Sequence, residues 1–202
     1  MKKLLSLLVI TGMLTSTTSH NPFTSTSSAA LKGDHTSKEK VTEAISSSEA
    51  KVTKYGHWPK PPTVILCSSA PIKKLKVQQA ITWWRKRGHR FAALVEETPG
   101  NFTESICADP MSQQPRGYIV ITRMTEDAVD DERDLALTRY RRNRRMEVVI
   151  WAKIFINPGY DSGYVLEHEL GHAVGFLHLV REGHLMHPEI PNGGWNDDGL
   201  TK

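Results

Sequence analysis

Apolar positions along this chain change their spacing several times, and each change predicts an element. After Pro61 and Pro62, the run Thr63, Val64, Ile65, Leu66, Cys67 is short, apolar and β-branched, which predicts a strand. From Pro71 the spacing lengthens. Val77, Ala80, Ile81 and Trp84 recur at i, i+3, i+4 and i+7 among lysines and arginines, so an amphipathic helix is expected, ended by Gly88. Residues 91–95 and 117–122 read as two further strands, with a turn at Pro99, Gly100 and Asn101 between them. Residues 147–157 carry the longest apolar run (Val148, Val149, Ile150, Trp151, Ile154, Phe155, Ile156), and Asn157, Pro158 and Gly159 close it. A second helix follows, with Asp161 or Ser162 as its cap and Val165, Leu166, Leu170 and Val174 facing the core. Residues 125–145 pass from acidic to basic and read as a long exposed loop.

The ends divide the chain further. Met1, Lys2 and Lys3 precede an apolar run at 4–14, the form of a secretory signal peptide, taken here as residues 1–19. A bilayer span needs about 20 apolar residues, so no stable membrane span is expected. Residues 20–56 are rich in Ser, Thr, Lys and Glu, and they read as a flexible linker or short propeptide. The remainder, 57–202, suits one domain with one core, and a secreted or periplasmic location is expected. The formal net charge of +4 includes Lys2 and Lys3. The basic clusters at 73–90 and 139–145 therefore read as solvated faces, and no specific nucleic-acid partner is expected. Two cysteines, Cys67 and Cys107, suggest a disulfide in an exported chain. The competing idea, a thiolate on a metal, has no supporting spacing.

The chemistry concentrates in residues 168–178, which read His-Glu-x-x-His-x-x-Gly-x-x-His. On a helix turning about 100° per residue, His168 and His172 lie roughly 40° apart on one face. His178 would lie about 280° from His168, so the helix has to end between His172 and His178 for a third imidazole to reach the same ion. Gly175 is the residue able to make that exit. Three protein ligands leave a fourth zinc position for water, the mark of a catalytic rather than a closed structural site. Glu169 is then the candidate general base.

The eleven-residue zinc motif and the Met186 that follows it resemble those of the metzincin metallopeptidases, most closely the matrixin branch. The resemblance implies an α+β fold: a twisted mixed sheet with two main helices and a Met-turn, in the order strand, helix, strands, helix. It also implies that His168, His172 and His178 ligate Zn2+ and that Glu169 is catalytic. Met186 would form the floor under the metal and Pro188 the wall of the pocket beyond the scissile bond. His187 stands where that branch has tyrosine. Pro188 holds the place of the astacins' tyrosine ligand, so a fifth protein ligand is not expected.

Three departures qualify the likeness. The Pro-Arg-Cys-Gly element of matrixin propeptides is missing, so latency through a thiolate on zinc is not supported. Calcium, which many matrixins use structurally, finds no matching loop spacing among Glu126, Asp127, Asp130, Asp131, Glu132 and Asp134. Only Glu189 to Lys202 follow Pro188, where matrixins continue into a helix. The function expected is a zinc endopeptidase acting as a monomer on protein or peptide. The rivals are a zinc-braced binding protein without catalysis and a zinc hydrolase of a non-peptide amide.

Overall fold

In the computed structural model, which describes residues 29–32, 51–108, 114–125, 134–159 and 163–202, the apolar runs assemble one mixed sheet. Its strands are β1 (Ala29–Lys32), β2 (Thr63–Leu66), β3 (Leu94–Glu96), β4 (Tyr118–Arg123), β5 (Asp134–Asn143) and β6 (Val148–Ile156). Three α-helices accompany them: α1 (Lys74–Lys86), α2 (Phe102–Ala108) and α3 (Val165–Ala173). The order across the sheet is β1-β5-β6-β4-β2-β3. Strands β6, β4, β2 and β3 run parallel, while β5 is antiparallel to β6 and β1 antiparallel to β5. The fold is thus α+β. The expected signal peptide at 1–19, the caps Asp161 and Ser162, and the acidic residues 126–132 lie outside the described residues.

Alternation decides what each face of the sheet meets. Val64 and Leu66 on β2, Ile119 and Ile121 on β4, and Ala152, Ile154 and Ile156 on β6 join the side chains of α1 and α3 in one core cluster. On the other face Ile65, Cys67 and Val120 pack with Ile106 of α2. There Cys67 and Cys107 form a disulfide, their Cα atoms 5.7 Å apart. Helix α1 buries Val77, Ala80, Ile81 and Trp84, the four positions the spacing indicated, and Gly88 follows it at φ 86°. Among the described residues no helix is long and apolar enough to cross a membrane.

Two expectations need correction. Residues 125–145 are not a loop throughout: β5 is a ten-residue strand in which Leu135, Ala136, Leu137, Thr138 and Tyr140 are buried. Its pattern was masked because the face toward α3 uses small or polar groups, Ala136, Thr138 and Tyr140, with arginines between and beyond them. Residues 51–56, read as part of a flexible linker or short propeptide, pack against the domain and so are not a flexible linker. Tyr55 and Gly56 are buried, the Tyr55 amide donates to Gly175 O (2.8 Å), and the Leu177 amide donates to Thr53 O (2.8 Å). These are mostly main-chain bonds, which leave little trace in composition. The short helix α2, which carries Cys107, follows the turn at Pro99, Gly100 and Asn101.

Candidate metal centre

Helix α3 is buried at every one of its nine residues, polar ones included. It ends where the spacing required. The Gly175 amide donates to His172 O and the Phe176 amide to Gly171 O (both 2.9 Å), the paired bonds of a Schellman ending. Gly175 sits at φ 112°, and a Cβ there would collide with the carbonyl oxygen of Gly56. Both the backbone conformation and the close approach demand glycine at this position.

The bend brings the third histidine back. His172 Nε2 lies 3.0 Å from His168 Nε2 and 3.2 Å from His178 Nε2. Three nitrogens each about 2.0–2.1 Å from a tetrahedral zinc would be about 3.3 Å apart, so the spacing fits that ion. Hydrogen bonding fixes the tautomers of two rings. His168 Nδ1 is 2.6 Å from Leu185 O, and His172 Nδ1 is 2.8 Å from Phe176 O. A carbonyl oxygen only accepts, so each Nδ1 carries the proton and each Nε2 keeps its lone pair for a metal. Burial acts in the same direction. It lowers His168 well below the usual histidine range, helped by His172 and His178. It takes His172 down to about 3, helped by His178, and His178 to about 4, helped by His187. Neutral imidazoles are the state a cation needs. The cluster fits a zincin site of the His-Glu-x-x-His type.

Glu169 is fully buried on the same helix, and the Thr138 hydroxyl of β5 donates to its Oε2 at 2.5 Å. Met186 is fully buried beneath α3, where a Cβ on Gly171 would collide with its sulfur. The turn that carries it is closed by the His187 amide to His184 O (3.1 Å). His184 Nδ1 accepts from the Met186 amide (3.0 Å), and its Nε2 meets Asp198 O at 3.1 Å. Pro188 stands partly exposed just past this turn, and His187 is buried. The other group of metal-type donors among the described residues, Cys67, Glu97 and Cys107, contains the disulfide and so offers no thiolate.

Sequence reasoning missed the side chains that hold α3 in place. Tyr55 donates its hydroxyl to His172 O, and burial, followed by Tyr140, pushes that phenol well above its usual range. Trp58 Nε1 donates to Ala173 O and Trp84 Nε1 to Glu167 O, each at 2.8 Å. Only Trp84 left a signal, and that signal was apolar spacing rather than its N–H.

No protein family matches the sequence, and no curated protein matches it. Among solved structures, the chain is similar to the crystal structure of metalloproteinase-II from Bacteroides fragilis, with a TM-score of 0.39 and 16% identity. The match covers 89% of this chain and 56% of that one, so the chain spans little more than half of that protein's length.

Proposed function

We propose that this chain is an exported zinc-dependent endopeptidase of the metzincin type, nearest the matrixin branch in the spacing of its ligands and methionine. One observation carries the proposal: three neutral imidazole nitrogens converge beside a buried glutamate one residue from the first of them. His168, His172 and His178 would hold the ion. When bound, zinc would polarise the substrate carbonyl and make a water molecule acidic near neutral pH. Glu169 takes the proton of the attacking water and returns it to the departing amine. Met186, in the turn under α3, is read as the Met-turn of that fold, and Pro188 as part of the pocket wall.

An extended peptide would dock by main-chain hydrogen bonds along a sheet edge. The outer edge of β5 serves this reading, because β5 also supplies the hydroxyl that holds Glu169. Within the chain β1 pairs along that edge, with Ala29 opposite Thr138. The segment before residue 51 is accordingly read as a signal peptide followed by a short propeptide that substrate displaces.

Purified protein assayed on casein or a quenched peptide library tests the proposal. Cleavage should stop with a chelator and return with zinc. Glu169→Ala should keep the metal and lose about a thousandfold in kcat, within the range of general acid–base catalysis. Zinc-loaded wild type that cleaves no peptide would overturn the peptidase reading.

A further inference from the structure

Strand β5 places alternate side chains on the face that meets α3. Thr138 is fully buried there, its Oγ1 2.5 Å from Glu169 Oε2 and 3.1 Å from the Glu169 carbonyl oxygen. A hydroxyl has one proton to give. The carboxylate is both nearer and the stronger acceptor, so the bond goes to Oε2. Two residues along, Tyr140 stacks on Tyr55 with ring centroids 3.7 Å apart and planes 9° apart. Tyr55 in turn donates to the carbonyl of His172. One strand thus braces the glutamate directly and the second imidazole's backbone through a neighbour.

We infer that Thr138 is a positioning residue for the hydrolysis proposed above, an inference that rests on that reading of the site. The terminal torsion of a glutamate is broad, and burial alone does not choose the plane of its carboxylate. Holding Oε2 sets that plane, and with it the direction of Oε1, before substrate arrives. Misplacing a reacting group by about 1 Å can cost a hundredfold in rate, so the hydroxyl carries a measurable share of kcat. A threonine suits the place: its β-branched stem fits a strand, and its hydroxyl reaches across to the helix.

The test uses the full chain, loaded with zinc, as wild type, Thr138→Val and Thr138→Ser. Each is measured on one quenched peptide substrate, for binding of a peptide hydroxamate, and for zinc affinity by competition with a chelator. The hydroxamate binds the ion and shares its proton with the glutamate, so it reports on Glu169 without turnover. Thr138→Val should lower kcat about tenfold to a hundredfold with KM little changed, and weaken the hydroxamate about tenfold. Its zinc affinity should match wild type, and Thr138→Ser should recover most of both losses. The inference is overturned if the valine variant equals wild type in kcat and hydroxamate binding, or if serine fails as badly as valine. A parallel fall in zinc affinity would also overturn it, since the threonine would then support the whole helix. Wild type that cleaves nothing sinks the peptidase reading alone, because the hydroxamate comparison still decides the part played by Thr138.

Discussion

Helices α1 and α3 cover the same face of the sheet and touch each other, yet they are built by opposite rules. Of its thirteen residues α1 buries four, all apolar, and turns lysines and arginines to solvent. All nine residues of α3 are buried, among them Glu167, His168, Glu169 and His172. In α1 burial of apolar area supplies the stability, at about 25 cal/mol per Å². In α3 burial of polar groups costs stability unless each finds a partner. The partners come from outside the helix: Leu185 O, Phe176 O and the Thr138 hydroxyl. A scaffold helix can thus be read from its own sequence, whereas a site helix is intelligible only with its neighbours.

Substitutions in α1 and in the stretch that follows α3 should break apart stability and chemistry. Trp84 lies at the junction, fully buried, 5.5 Å from the Phe176 ring and bonded to Glu167 O. Trp84→Ala should lower the unfolding free energy of the metal-free protein by about 3–5 kcal/mol, measured by urea titration. A loss under about 1 kcal/mol would show that α1 is not the scaffold. His178→Ala should do the reverse. Zinc affinity should fall by at least a hundredfold, about 2.7 kcal/mol, while the urea midpoint of the metal-free protein stays close to wild type. Competition with a chromogenic chelator measures it, and retained affinity would remove His178 from the ligand set.

A smaller effect sharpens the contrast through pH. His89 packs edge-on against Trp84 and Phe176, and its Nε2 meets Leu200 O at 2.9 Å. Burial first, then Lys54 and Lys202, brings it down to about 4, against a partial rise from the Leu200 bond. The folded value lies below the unfolded one, so the unfolded chain binds more protons between the two. The contribution of His89 is therefore complete above about pH 6.5 and is lost as pH falls toward 4. Urea titrations from pH 7 to 4 should show a shallower decline for His89→Gln than for wild type. Parallel curves would mean that this imidazole does not prefer its neutral form in the fold.

Much of this was legible beforehand, for reasons tied to particular residues. Val77, Ala80, Ile81 and Trp84 announced α1 because one helix face meets one core. The interval from His168 to His178 required a break near Gly175 because a straight helix cannot aim three imidazoles at one point. Thr138 and Tyr55 were hidden for the opposite reason. Each acts through a hydrogen bond or ring contact with a residue more than thirty positions away, and no local period encodes such a contact. Strand β5 was concealed because the face it turns to α3 is built from small and polar groups.

The main-chain ties at Thr53 and Tyr55 bear on how short a folded form of this polypeptide can be. Apolar patterning suggests starting at residue 57, but a recombinant fragment begun there would lose the strap that secures the stretch leading into His178. Trimming the chain past Thr53 would remove these ties while leaving His168, His172 and His178 in the sequence.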